Sequence, residues 1–234
     1  MPSEIEETVR MNVGSFPDGT PSGGRIVLTG NPDLHPERVE SFEIGYRLQA
    51  TASATFDATA FHNSMRDLIR SAPGAPELDP SGQSVIPTTV FNAGKGRTEG
   101  VEFLCTDSPA SNWNVSLGYT LFKGVSNIPS SPTSTAIDVT VPRHQLQLRS
   151  ALTVARQLDW DWSAYYVGPL GESVPAYLRL DTQFSWHAAA RWTLSISGQN
   201  LLQSRHAEFA GTNGELDLAA PIQRSINGSV VWRF

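Results

Sequence analysis

Ser41-Phe42-Glu43-Ile44-Gly45-Tyr46-Arg47-Leu48-Gln49 alternates, residue by residue, between two kinds of side chain. In an extended chain Phe42, Ile44, Tyr46 and Leu48 share one face. Ser41, Glu43, Arg47 and Gln49 share the other. The same period of two returns in Trp113-Asn114-Val115-Ser116-Leu117-Gly118-Tyr119 and in Gln145-Leu146-Gln147-Leu148-Arg149. It returns again in Tyr177-Leu178-Arg179-Leu180-Asp181-Thr182-Gln183-Phe184 and in Ile226-Asn227-Gly228-Ser229-Val230-Val231-Trp232-Arg233-Phe234.

Extending each patch to its bounding turn residues predicts nine strands, near 41–51, 54–71, 89–106, 112–123, 144–155, 158–167, 176–187, 191–200 and 222–234. Most run about 10–13 residues, against ~5–6 in soluble sheets, and about 9–11 tilted residues cross a bilayer. Connections alternate in length. Short ones fall at Ala52-Ser53, Asp107–Ser111, Arg156-Gln157 and Ala188–Ala190, and longer ones at 72–88, 124–143, 168–175 and 201–221. Outer-membrane barrels pair short periplasmic turns with long outer loops in this way.

The tryptophans give a separate test. Trp113, Trp160, Trp162, Trp186 and Trp192 stand close to expected short turns, and Trp232 stands beside Phe234, so all six gather at one end of the strands. An indole is apolar in body with an N–H that wants a polar partner, which suits a membrane interface. Phe122, Tyr165, Tyr166 and Tyr177 are expected to form the girdle at the other interface. A soluble sandwich or barrel would alternate as well. It does not account for the strand lengths, the turn alternation or the one-ended tryptophans.

Composition agrees by exclusion. No stretch of the 234 residues approaches the ~20 apolar residues of a spanning helix. A net charge of -6 with no basic cluster argues against nucleic acid as a partner. The single cysteine, Cys105, rules out an intrachain disulfide and reads as a small strand residue. The acidic start, Met1 to Glu7, is unlike a signal peptide. Ser3 and Glu6 fit a capping box for a short helix, and the rest of 1–40 reads as Gly/Pro-rich loop with a short strand at Arg25–Thr29. Two segments result: the loop-rich 1–40, as an extracellular loop, and the strands of 41–234.

Signals for chemistry are weak. In Gly94-Lys95-Gly96-Arg97-Thr98-Glu99-Gly100 the third glycine is one position late for a dinucleotide loop, and a strand follows instead of a helix. A glycine kink before a strand is the better reading. His35, His62, His144, His187 and His206 are scattered, so no metal site is expected. Glu43, Glu102 and Asp181 lie on the polar face beside Arg47, Arg149 and Arg179, which reads as a charge-paired wall and not as catalytic carboxylates. No catalytic residue, metal ligand or cofactor is assigned; ligand-binding residues stay undetermined.

Several segments resemble the C-terminal region of TonB-dependent receptors. Gly30-Asn31-Pro32-Asp33-Leu34-His35-Pro36-Glu37, with Ser41 to Tyr46 after it, resembles the family's "NPDLKPE…SYELGY". Gly100-Val101-Glu102-Phe103 resembles a "GVE" strand start. Tyr177 to Asp181 and Gly198-Gln199-Asn200-Leu201-Leu202 resemble "RLD" and "NLLD", and Arg224 to Phe234 resembles the closing strand. The order and spacing of the set cover about residues 30–234.

The resemblance implies an all-β transmembrane antiparallel barrel, present in part: about nine C-terminal strands of ~22, without the plug domain. It implies a receptor in the Gram-negative outer membrane that takes up a scarce solute such as a ferric siderophore. TonB would act only through the plug. Phe42, Leu146, Leu148, Leu178, Leu180 and Phe184 would face lipid. Arg47, Gln147, Arg149, Arg179 and Asp181 would face the lumen or plug. Val230, Trp232 and Phe234 would form the signal read by the barrel-assembly machinery. The alternative is a truncated product without transport, or a soluble β-domain that binds a ligand or partner.

Overall fold

A computed structural model describes residues 8–17, 19, 23–127, 137–138, 141–171, 174–208 and 221–234. The short helix expected near Ser3 lies outside them. The elements named among the described residues are strands: β1 (Arg10–Phe16), β2 (Gly24–Thr29), β3 (Arg38–Gln49), β4 (Ala54–Pro73), β5 (Glu77–Leu78), β6 (Ser84–Ala110), β7 (Trp113–Asn127), β8 (Ile137–Asp138), β9 (His144–Ala155), β10 (Leu158–Val167), β11 (Tyr177–Ala189), β12 (Trp192–Gln199), β13 (Arg205–His206), β14 (Ile222–Gln223) and β15 (Ser225–Trp232).

The chain divides into two compact units. One holds Met1–Phe42, His62–Thr98 and Gly124–Val139; the other holds Glu43–Phe61, Glu99–Lys123 and Thr140–Phe234.

In the larger unit each long strand hydrogen-bonds to the next long strand in sequence, in the order β3-β4-β6-β7-β9-β10-β11-β12-β15. These are the nine strands that alternation predicts. The expected turn at Asp107–Ser111 shrinks, because β6 continues to Ala110. At the first turn the Thr51 hydroxyl accepts from the backbone N–H groups of Ser53 (3.2 Å) and Ala54 (2.9 Å), which turns the chain without a glycine.

The strand registers resolve the two faces. Leu117, Leu148, Ala164 and Leu180 form one row across β7, β9, β10 and β11; Tyr119, Leu146, Tyr166 and Leu178 form the next. On the opposite face Gly118, Gln147, Tyr165 and Arg179 run between these rows, and Ser116, Arg149, Ser163 and Asp181 run on the other side of the first. The apolar rows are open. Leu117 is 44% exposed, Phe184 40%, Ile196 55% and Val230 62%. Burying one such side chain is worth about 1.5–3 kcal/mol. Leaving the whole face in water forgoes on the order of 10 kcal/mol, as much as the full stability of many domains.

All six tryptophans sit on this apolar face. Trp113 and Trp160 both lie opposite Leu152, Trp186 opposite Leu158, and Trp192 opposite Trp232. Trp192 and Trp232 stack at 5.8 Å, and Trp160 stacks on Phe184 at 5.5 Å. Two indole N–H groups find hydroxyls on the same wall: Trp113 donates to Ser150 and Trp160 to Thr182, each at 2.9 Å. The expected opposite girdle is corrected. Tyr165 and Tyr166 are consecutive, so alternation must send them to opposite faces, and only Tyr166 takes the apolar one. Tyr177 joins the polar face with Tyr165, and Phe122 does so beside Phe61, 6.2 Å away. Tyr119 and Phe103, stacked at 6.4 Å, stand with Tyr166 instead.

The smaller unit is built differently. It has a buried apolar centre of Val27, Leu34, Val85 and Val90. β1 pairs antiparallel with β2, and β2 runs parallel to the start of β6, Arg25 opposite Val85 through Thr29 opposite Thr89. β1 and the first residues of β6 occupy stretches that alternation leaves as loop.

Here the Asn31–Glu37 motif acts as a clasp. Asn31 accepts from the Asp33 N–H (2.9 Å) and donates to the Val90 carbonyl (3.1 Å). The Asn92 amide accepts from the His35 N–H (2.7 Å) and donates to the His35 carbonyl (2.9 Å). Glu37 accepts from the Ile69 N–H at 2.6 Å. These bonds, with Leu34 buried among them, fix where β3 begins. Further along the same unit Asp79 accepts from Ser81, Gln83 and Arg25, and the first two hold its carboxyl well down, at about 2.

The Gly94–Gly100 run lies inside β6, not ahead of it, which corrects the kink. A Cβ on Gly94 would stand 2.6 Å from the Leu68 Cβ, and one on Gly100 2.5 Å from the Leu121 carbonyl oxygen. Close approach of neighbouring strands is what these positions require.

Candidate functional site: the polar wall

The polar face of the larger unit brings hydroxyl, amide and charged side chains together into bonded rows. Its inner rows are hydroxyl and amide groups: Gln183 lies opposite Ser197, which lies opposite Asn227, and Ser185 opposite Ser195, which lies opposite Ser229. Gln183 donates to Ser185 (3.1 Å), and the Ser185 and Ser195 hydroxyls bond at 3.0 Å. At the turn end of the strands, Asp159 pairs with His187 (2.8 Å) and accepts from Thr153 (2.8 Å).

At the long-loop end lies a clasp built from the two motifs around Arg179 and Asn200. Arg179 meets Asp181 with both arms of its guanidinium, Nε to Oδ1 at 3.0 Å and Nη2 to Oδ2 at 2.7 Å. Such a forked pair is stronger and more directional than a single contact. Asp181 Oδ1 also accepts from the backbone N–H of Asn200 (2.9 Å). Asn200 is wholly buried and holds a left-handed backbone with φ of 52°, which asparagine tolerates better than other non-glycine residues. Its amide donates to the Ile222 carbonyl (3.0 Å), at the β13–β14 hairpin. His206 of that hairpin stacks on Tyr177 (4.1 Å) and meets Glu208 (3.1 Å); Glu208 lies 3.6 Å from Arg179, whose guanidinium covers the Tyr165 ring.

Two recesses open on this face. One, of about 550 Å³, is lined by Arg47, Asp57, Glu102, Gln147 and Tyr165 among others. The other, of about 640 Å³, takes in Ser116, Arg149, Asp161, Ser163, Tyr165 and Asp181.

The expected division of these residues between two faces is seen in the registers. Leu146, Leu148, Leu178, Leu180 and Phe184 share the apolar face; Gln147, Arg149, Arg179 and Asp181 share the polar one. Along β3, Phe42 alternates away from Arg47. The charge pairing differs from the expectation in detail: Arg47 pairs with Asp57 and not Glu43, and Arg149 has no acidic partner among the described residues. Val230 and Trp232 lie exposed on one face of β15, and Phe234 is fully exposed just beyond it. Asn200 and His206 carry structural roles that alternation misses, since both follow a strand end. Only the motif around Asn200 signals the first. Among the described residues no group of His, Cys, Asp and Glu is arranged to hold a metal ion.

Comparison with known proteins adds family and fold. The family model described as TonB dependent receptor-like, beta-barrel matches residues 9–201. Among curated proteins none matches the sequence significantly. The outer membrane transporter YddB from Escherichia coli is similar in fold, with a TM-score of 0.69 at 16% identity over 91% of this chain and 34% of that one. The siderophore receptor PirA from Acinetobacter baumannii gives 0.67 at 16% identity over 91% and 34%. The ferric yersiniabactin uptake receptor FyuA from Yersinia pestis gives 0.62 at 21% identity over 92% and 32%. The chain thus spans about a third of the length of the structures it resembles.

Proposed function

We infer what this chain does from one premise, that it belongs to the TonB-dependent receptor-like β-barrel family. The larger unit is a stretch of outer-membrane barrel wall, its apolar rows against lipid and its polar rows toward the barrel interior. The whole receptor takes up a scarce solute, such as a ferric siderophore, driven by TonB through a plug. This chain supplies wall and outer loops, and no chemical step. The observation that carries this reading is the open apolar face with every tryptophan on it.

The test is fractionation of the receptor that contains this chain, followed by uptake of iron-loaded chelators. Recovery from the outer membrane as a heat-modifiable band, with uptake lost when the gene is deleted, is the expected result. Recovery as a folded soluble monomer sinks the reading.

Cys105 offers a sharper probe. It is exposed, and alternation from Phe103 places it on the apolar face. In lipid vesicles it should resist a water-soluble maleimide for hours and react within minutes in urea. Equal rates in both would place that face in water.

Val230, Trp232 and Phe234 form the segment that the barrel-assembly machinery binds. Their exposure at alternate positions on an edge strand suits capture by β-pairing. Substituting both Trp232 and Phe234 by alanine should lower the receptor in the outer membrane by roughly tenfold, a loss of about 1.4 kcal/mol in recognition. Unchanged levels on an immunoblot of the outer-membrane fraction would count against this role.

A further inference from the structure

We propose that Arg149, with Tyr165 and Gln147, forms a subsite on the polar wall that binds a carboxylate or phosphate group. The proposal rests on the reading that this face lines the route of the solute.

Three arginines stand within the strands of this wall, and two are already neutralised. Arg47 is paired with Asp57, and Arg179 with Asp181 and Glu208. Arg149 forms no ion pair with any described residue. Its cross-strand neighbours are Ser116 and Ser163, which bring hydroxyls and no charge. With its amide oxygen turned toward the guanidinium, Gln147 accepts from Arg149 Nε at 2.5 Å and from Nη2 as well. That leaves the Gln147 NH₂ and the remaining guanidinium N–H groups as donors. Tyr165 lies directly opposite Gln147 across β9 and β10 and lines the same recess as Arg149.

The cluster is therefore rich in donors and carries one uncompensated positive charge. Its complement is a group of acceptor oxygens with negative charge, which a guanidinium recognises better than any other side chain does. Space is available, because Tyr165 borders both recesses and Arg149 lines the larger, of about 640 Å³. Such a volume takes the acidic end of a drug-sized molecule. Nearby acids narrow the choice. Asp57 and Asp181 are closed on their arginines, but Asp161 lines the larger recess and Glu102 the smaller. A ligand with one acidic group fits better than a polyanion. That group belongs either to the solute or to an acidic side chain of another part of the complete receptor.

The test is a titration of the full chain in detergent micelles, with ¹⁵N-labelled arginine, using acetate and inorganic phosphate against chloride at constant ionic strength. The Arg149 Nε resonance should shift to saturation while those of Arg47 and Arg179 stay fixed. Y165F should weaken binding roughly threefold, and R149K roughly tenfold, because an ammonium lacks the fork. A shift at Arg149 that is linear, or no larger than at Arg47, overturns the proposal. So does R149K binding as tightly as the parent. A second arm repeats the titration on the complete receptor. An Arg149 resonance that still titrates assigns the site to the solute; one already shifted and insensitive assigns it to a protein carboxylate. Failure to find the protein in the outer membrane would sink the transport reading while leaving saturable binding at Arg149 intact, so the two failures are distinguishable.

Discussion

Replacing Asp181 by alanine is expected to destabilise the larger unit by about 2–4 kcal/mol, toward the lower part of the range for breaking a buried ion pair, since Asp181 is 20% and Arg179 28% exposed. Three losses coincide. Arg179 keeps only Glu208, at 3.6 Å. The Asn200 N–H loses its acceptor while the residue stays fully buried. The left-handed turn at Asn200 then keeps only its side-chain bond to the Ile222 carbonyl to offset its strain. Asp181→Asn keeps an acceptor and should cost about half as much. Urea unfolding in micelles, followed by tryptophan fluorescence, measures both. An alanine variant within about 0.5 kcal/mol of the parent, the range of an ordinary surface change, would show that the clasp is ornamental.

The second large effect is a contrast between faces. Leu180→Arg places a charge on the apolar row between Ala164 and Gly198's neighbour Leu201, whereas Gln183→Arg places the same charge on the polar face opposite Asp161 and Ser197. In vesicles the first should cost about 2–4 kcal/mol and the second under about 1, because an arginine near the bilayer midplane cannot keep its hydration. The two positions lie only three residues apart on β11 and differ chiefly in the direction of the pleat. Equal costs would refute the assignment of faces.

The long strands were legible because a period of two survives any local accident of composition. Phe42 to Leu48 and Leu178 to Phe184 announce their faces without help from tertiary structure. β1 was not legible. Met11 and Val13 alternate for too few residues, and Gly14 interrupts them. The start of β6 was hidden by Pro87, whose carbonyl nevertheless accepts from Gly74 at 2.6 Å. The outer girdle went astray for another reason: counting aromatics near a strand end ignores which face each one takes. The roles of Asn92, Asn200 and His206 depend on partners 57, 19 and 2 residues away, and pattern alone cannot anticipate the first two. The candidate anion site was half visible. A charge-paired wall was expected around Arg149, and only the registers revealed that its acid was missing.

The two-residue period also limits how such a chain can evolve. Adding or removing one residue within β10 would turn every later side chain of that strand over, sending Asp161 or Ser163 to the apolar face and Trp162 to the polar one. Within the wall, lineages can diverge by substitution, one face at a time, or by length changes in steps of two. Connections such as 168–176 carry no such constraint and can grow or shrink freely. Relatives should therefore differ in the length of their loops and in the chemistry, but not the length, of their strands.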